Sequence, residues 1–373
     1  MKFYEFFAGG GMARAGLGPN WDCVIANDFD EEKAAVYRDN WGAGELRVGD
    51  IAALKAKDFP GRADLAWGSF PCQDLSLAGD RAGLKGKRSG LYWEFSRILH
   101  ELHEESRVPK IVAIENVSGL ITSHAGSDIE QIFMDLVDLG YRVGALVLDA
   151  IHFVPQSRPR LFIVGAREVA SPLLLQDAFS SELHPPKLRE VISRIQETVN
   201  KSSVGYWQHS LPPERIGSLD ALIDDAGFDE AVGRRLWNLM TPMHQSRAAN
   251  LGHPWFPQYG TVFLRTRPSN GSRVQRAEIR IDQVAGCLRT PGGGSSRQYV
   301  VTNQGDRFVG RLMNPRETAR LMGLPETYVL PARLNPALHL TGDGVVVPVV
   351  SFLRDHVLEP LALSSTSAVI GRP

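Results

Sequence analysis

The chain has 373 residues, 43% of them hydrophobic and 22% charged, with a formal net charge of -1. That length can bury one large core and a smaller second one. A near-neutral total gives no broad field for a polyanion, so any nucleic-acid site must be a local concentration of Arg and Lys. Three scattered cysteines, Cys23, Cys72 and Cys287, fit a reduced cytosolic protein better than a disulfide scaffold or a zinc site. The N-terminus runs straight into Phe3-Tyr4-Glu5-Phe6-Phe7 without a basic leader, and no stretch reads as long enough to span a membrane. The expectation is a soluble, cytoplasmic chain with no metal.

Residues 1–168 alternate short apolar runs with amphipathic segments, the texture of an α/β domain with a doubly wound, mostly parallel sheet. Strands are predicted at Lys2–Phe7, Cys23–Asn27, Leu65–Gly68, Ile111–Ile114, Val143–Leu148 and Leu161–Val164, each ended by a turn-forming residue where a ligand-facing loop begins. Leu91, Phe95, Ile98, Leu99 and Leu102 share one helical face, as do Ile129, Ile132, Phe133 and Leu136, and both stripes read as core. From 169 to 311 the alternation stops, giving a smaller, irregular second domain with a dense Arg/Gly/Ser/Pro stretch from Arg265 to Arg297. Residues 312–373 regain order, with a short helix over Arg316–Leu324 and an apolar run Val345–Leu353, and read as a segment returning to the first domain.

Phe7-Ala8-Gly9-Gly10-Gly11 follows the first strand, and its glycines allow a tight turn and close approach of a ligand to backbone N–H groups. Such a turn serves dinucleotides, adenosylmethionine and plain packing alike. Asp28-Phe29 after the second strand offers a carboxylate for ribose hydroxyls and an aromatic face for adenine; Asp50-Ile51 after the third offers another acceptor. Both acids also suit helix capping. Pro71-Cys72-Gln73 follows the fourth strand, placing one thiol at the ligand-facing edge, where a thiolate suits addition to an electron-poor ring carbon. Glu115-Asn116-Val117 ends the fifth, and an acid beside Cys72 can bond a pyrimidine N3 and make its C6 electrophilic. In Gln156-Ser157-Arg158-Pro159-Arg160, one guanidinium is expected to hold Glu115 or the base carbonyl while the other faces outward.

These motifs, with Arg316-Glu317, Arg320-Leu321-Met322-Gly323 and Gly342-Asp343-Gly344-Val345, occur in an order that resembles the DNA cytosine-5 methyltransferases of bacterial or phage type, over the whole chain. The resemblance implies methyl transfer from S-adenosyl-L-methionine, leaving S-adenosyl-L-homocysteine, to carbon 5 of a cytosine flipped out of double-stranded DNA. It implies that Cys72 adds to C6, Glu115 engages N3 and Arg160 assists at the base carbonyl. Arg158, Asn116, Pro71 and Gln73 would support that chemistry. Phe7, Ala8, Gly9, Gly10, Gly11, Asp28, Phe29, Asp50, Ile51, Leu91, Asp343 and Val345 would form the cofactor pocket, and Ser76, Arg289 and Arg297 would contact DNA. Asp343 stands where this motif usually carries Asn. Residues 169–311 hold the place of the target-recognition domain, with Leu288-Arg289-Thr290-Pro291 resembling a DNA-facing loop. A restriction-modification role, a cognate restriction endonuclease as functional partner, a monomer and association with the nucleoid through DNA are further expectations. The rival readings are a tRNA cytosine-5 methyltransferase, whose Cys-Phe-Thr signature the sequence lacks, and a non-catalytic DNA-binding regulator, against which Cys72, Glu115 and Arg160 argue.

Overall fold

The computed structural model describes residues 1–70, 90–168, 174–175, 177–269, 272–292 and 296–364. The chain divides into two compact units: Met1–Leu148, Pro159–Leu211 and Val349–Pro373 in one, Asp149–Arg158 and Pro212–Pro348 in the other.

The first unit contains β1 (Lys2–Phe6), α1 (Met12–Leu17), β2 (Asp22–Asp28), α2 (Glu31–Trp41), β3 (Leu46–Val48), β4 (Leu65–Gly68), α3 (Leu91–Glu104), β5 (Ile111–Val117), α4 (Ser127–Asp138), β6 (Arg142–Asp149), β7 (Pro159–Ala166), β8 (Leu174–Leu175), α5 (Pro186–Thr198) and β9 (Val204–Trp207). The nine strands form one sheet in the order β3-β2-β1-β4-β5-β7-β6-β9-β8. β3, β2, β1, β4 and β5 run parallel, and β7 runs antiparallel to β5. The α/β, mostly parallel expectation is borne out, with each expected strand present and shifted by up to three residues at its ends. Alternation along β1 sends Tyr4 and Phe6 to one face, where they join the predicted stripes of α3 and α4 in the main core. Phe95, Ile98, Leu99, Leu102, Ile129, Ile132, Phe133 and Leu136 are fully buried there. Ala26, Ala34, Tyr37 and Leu46 form a second cluster with Ala8.

The second unit contains α6 (Glu230–Leu239), α7 (Pro242–Ala248), β10 (Gly260–Ser269), β11 (Ser272–Arg280), β12 (Gln298–Gln304), β13 (Arg307–Leu312), α8 (Pro315–Leu321) and α9 (Leu334–Asp343). The region read as irregular holds a four-stranded antiparallel sheet, β11-β10-β12-β13. Arg265 and Arg267 in β10 and Arg273, Arg276 and Arg280 in β11 interrupt the apolar signal by which a strand is recognised in sequence. The units are also cut differently from the change of texture at 168: β8 and β9 extend the large sheet, so the first unit keeps the chain to Leu211. Of the C-terminal segment, only residues from Val349 onward group with the first unit; there Ser351, in α10 (Val347–Leu353), donates to the Gly16 carbonyl at 3.0 Å, ahead of α11 (Glu359–Leu363).

Leu334–Leu363 is, by length and composition, long and apolar enough to cross a membrane, which corrects the expectation that no segment reaches that length. Its backbone leaves the helix at Gly344–Val346, and 61% of its apolar window is buried inside the protein. A core segment passes the same test.

Candidate active site

β1 lies between β2 and β4, so the loops leaving the carboxyl ends of β1 and β4 flank the point where the winding of the sheet reverses. Open α/β sheets bind ligands there. Phe7 opens the β1 loop at φ 59°, a left-handed conformation that costs a non-glycine residue about 1–2 kcal/mol and is retained where the surroundings enforce it. Gly9, at φ +55°, has open space where a Cβ would stand, whereas a Cβ on Gly11 would come within 2.4 Å of the Trp41 indole nitrogen. The loop is thus tight against α2 at one glycine and open at another.

Asp28, buried at the end of β2, organises this loop. Its carboxylate accepts from the Gly9 N–H at 2.7 Å and from the Asp30 N–H at 2.9 Å. Burial raises its pKa, and those N–H groups oppose the rise. Asp30, not Asp28, caps α2, while Asp50 accepts from Ala52 N at 2.9 Å and caps a short 3-10 turn. Phe29 stands next to Asp28 with 70% of its surface exposed, an unusual position for a large aromatic, while Ile51 is buried. Leu91 opens α3, half-buried against the main core.

The β4 loop begins at Ser69 and Phe70. Pro71, Cys72, Gln73 and Ser76 lie outside the described residues, but the segment that carries them is anchored at its start. Asn116, buried at the end of β5, donates to the Phe70 carbonyl at 3.4 Å, and the Trp67 indole donates to the Ser69 hydroxyl at 2.9 Å. Glu115, one residue earlier, lies 3.1 Å from Arg160 Nε, both side chains largely buried. The antiparallel register that pairs Glu115 with Phe162 and Val117 with Arg160 sets this contact. An acid and its guanidinium are therefore fixed on neighbouring strands, next to the Asn116 that holds the Phe70 carbonyl.

Arg158 does not face outward. It is buried in the second unit, where it donates to the carbonyls of Leu288 (2.7 Å), Gly342 (2.9 Å) and Gly344 (2.8 Å). The contrast follows from the backbone: Arg160 lies on β7, whereas Arg158 precedes it, its N–H donating to the Asp149 carboxylate at 2.7 Å. Asp343 ends α9 exposed to solvent, and Val345 is buried.

Two features escaped the sequence reading. Glu5 lies 2% exposed in the middle of β1, and burial pushes its pKa up to about 8; one of its carboxylate oxygens has no hydrogen-bond partner among the described residues. Its signal was a carboxylate inside an otherwise apolar strand, which pattern reading treats as noise. Beside it, burial pushes the Cys23 thiol up to about 12, which keeps it protonated and inert at neutral pH. The second is Gln156, fully buried, whose side chain accepts from Leu288 N at 3.0 Å and donates to the Leu321 carbonyl at 2.8 Å.

In the second unit, β12 begins at Gln298 opposite Phe263, so β10 and β11 continue beyond it as a two-stranded ribbon. Arg265 and Arg276 stand directly opposite each other on it. Glu278 pairs with Arg265 (3.5 Å) and Arg267 (2.6 Å), and Asp282 with Arg280 (2.6 Å). Among the described residues Arg273, Arg276 and Arg289 have no ion pair, and Arg297 donates to Asn335 at 2.8 Å. Arg297 immediately precedes β12, at the end of the sheet from which the ribbon projects. Arg265, Arg267, Arg273, Arg276 and Arg297 stand at that end in a chain with no net positive charge.

The described residues thus hold a mostly parallel sheet with a glycine turn after its first strand and a Glu–Arg pair at the end of its fifth. The match to known proteins gives the class: residues 1–359 fit the C-5 cytosine-specific DNA methylase model, and the chain belongs to that family, the DNA cytosine-5 methyltransferases. Its curated relatives include Type II methyltransferase M.HpaII of Haemophilus parainfluenzae, 26% identical over 96% of this chain and 89% of the relative. Type II methyltransferase M.HhaI of Haemophilus parahaemolyticus is 25% identical over 96% of this chain and 94% of its own. Among solved structures, Dnmt2 methyltransferase of S. pombe superposes with a TM-score of 0.61 at 19% identity, covering 97% of this chain and 99% of that one, which supports the fold.

Proposed function

We propose that the protein transfers a methyl group from S-adenosylmethionine to carbon 5 of a cytosine in a specific sequence of double-stranded DNA, through a covalent bond between Cys72 and C6. The observation that carries this reading is the Glu115–Arg160 pair at 3.1 Å, set next to Asn116, whose amide holds the carbonyl that immediately precedes Pro71-Cys72-Gln73. The Cys72 thiolate adds to C6 while Glu115 shares a proton with N3, so that electron density moves to C5. Arg160 keeps the Glu115 carboxyl aimed at the base. After C5 gains the methyl group, a base removes the C5 proton and the Cys72–C6 bond breaks, restoring both the ring and the thiolate. The reacting carbon is inaccessible within a stacked duplex, so the cytosine enters the site flipped out.

The residues around the β1 loop fit a nucleoside cofactor, which supplies the electrophilic methyl group when bound. Open space at Gly9 admits close approach to the backbone, Phe29 offers an exposed ring, and Asp28 retains lone pairs beyond the two N–H groups it accepts from. Arg289 and the ribbon arginines supply positive charge for a duplex. The relatives are named Type II methyltransferases, and we assign this protein a restriction-modification role with a partner endonuclease. The cytoplasm, with the nucleoid reached through DNA, is its proposed location.

The test is to incubate the purified protein with methyl-labelled S-adenosylmethionine and either duplex DNA or tRNA, then separate the nucleosides. Label in 5-methyldeoxycytidine is expected. Label only in tRNA, or none, overturns the reading.

A further inference from the structure

The Gln156-Ser157-Arg158-Pro159-Arg160 segment splits its work. Arg160 faces Glu115, whereas Gln156 and Arg158 both grasp the backbone of a single residue elsewhere, on either side of its Cα. Leu288 N–H donates to Gln156 Oε1 at 3.0 Å, and the Leu288 carbonyl accepts from Arg158 Nη1 at 2.7 Å. Around that residue the backbone also pairs: Ala285 N–H donates to the Pro155 carbonyl at 2.8 Å and Ser157 N–H to the Ala285 carbonyl at 3.0 Å. The far side of each clamp is tied to helices. Gln156 Nε2 donates to the Leu321 carbonyl at the end of α8, and Arg158 Nη2 to the carbonyls of Gly342 and Gly344 at the end of α9. Gly342 packs so tightly on the loop that an added Cβ would lie 2.5 Å from Arg289 C and Thr290 N.

Leu288 is buried, and Arg289, which follows it, is exposed. A loop that must present a guanidinium to DNA at a fixed height loses affinity if its root is free to move, because the ordering cost then falls on binding. We propose that Gln156 and Arg158 are positioning residues for DNA recognition: they clamp the Leu288 backbone and thereby fix Arg289 before DNA arrives. They take no part in the chemistry at the base. Arg158 suits the task because a planar guanidinium reaches three carbonyls on two sides at once, which a lysine ammonium cannot reproduce.

This inference rests on the reading of the protein as a DNA cytosine methyltransferase, and its test separates the two. Steady-state methylation of a duplex carrying the cognate site is measured for wild type and R158K. The expected result is a KM for DNA raised by about ten-fold or more, a kcat at saturating DNA lowered by no more than about two-fold, and weaker discrimination against sites differing by one base pair. A fall in kcat with KM unchanged, or no change in either, overturns the inference while wild-type activity leaves the broader reading standing. Inactive wild-type protein overturns both. Because Arg158 is buried and the variant can misfold, a second measurement uses wild type alone. Hydrogen exchange without DNA should find the Leu288 amide protected as strongly as those of α8, while the Gly292 amide, bonded to Ser296 at an exposed position, exchanges fast. Equal fast exchange at Leu288 and Gly292 overturns the clamp.

Discussion

In the nine-stranded unit the working side chains are few, buried and held at strand ends by backbone or by one partner. Asp28 accepts from two loop N–H groups, Glu115 faces Arg160, and Asn116 holds the Phe70 carbonyl. In the four-stranded unit they are many and exposed. Glu278 serves two arginines at once, and Arg265 faces Arg276 across the ribbon. Like charges directly opposite on a sheet destabilise it, so an isolated ribbon has no use for that pairing; a polyanion neutralises it. The first unit spends structure on position, and the second keeps charge available.

The first way to break this comparison is to remove the group whose position matters most. C72A should lower methyl transfer to below about one part in 10⁴ of wild type, because no second step replaces the covalent one. Binding of S-adenosylhomocysteine, followed by calorimetry, should stay within a few-fold of wild type. Substantial methylation by C72A would remove the thiol from the mechanism.

A smaller effect concerns a buried group with no place in that chemistry. Glu5 has its pKa raised from the ordinary carboxylate range to about 8 by burial. The folded state then binds more protons than the unfolded state between about pH 4.5 and 8, so stability is fully present below that window and falls as pH rises through it. At about 1.36 kcal/mol for each pH unit the window spans, the loss across it is of order 5 kcal/mol at most. E5Q should flatten the dependence in urea unfolding followed at pH 5, 6, 7 and 8. An equal slope in both proteins would mean that Glu5 ionises freely in the fold.

The smallest effect lies on the ribbon. Arg276, with no carboxylate partner among the described residues, should lose a few-fold in DNA affinity as R276A and reduce the salt slope by about one phosphate contact. Arg267, neutralised by Glu278 at 2.6 Å, should matter less. Titrations between 50 and 200 mM salt compare them; R267A weakening binding more than R276A would reverse the assignment.

The large sheet was legible because its strands are buried on both faces and end in punctuating residues, so Leu65–Gly68 and the stripes of α3 and α4 could be read almost residue by residue. Its motifs followed, since a strand end localises whatever comes after it. The smaller sheet was not legible: the arginines interspersed along β10 and β11 mimic a loop, and only pairing across strands reveals the ribbon. Nor was the fate of Arg158. Two arginines separated by one proline look equivalent in sequence, and what divides them is that Arg160 enters β7 while Arg158 stops short of it. Gln156 went unused for the same reason, since its partners lie about 130 and 165 residues away.

The most direct test of the joined thiol and carboxyl is a duplex whose target cytosine carries fluorine at C5. A fluorine there cannot leave as a proton does, so elimination stops after methyl transfer. With S-adenosylmethionine present, wild-type protein should remain bound to this duplex through denaturing electrophoresis, and C72A should not. Methylation of ordinary DNA by a wild-type protein that leaves no such complex would contradict the account.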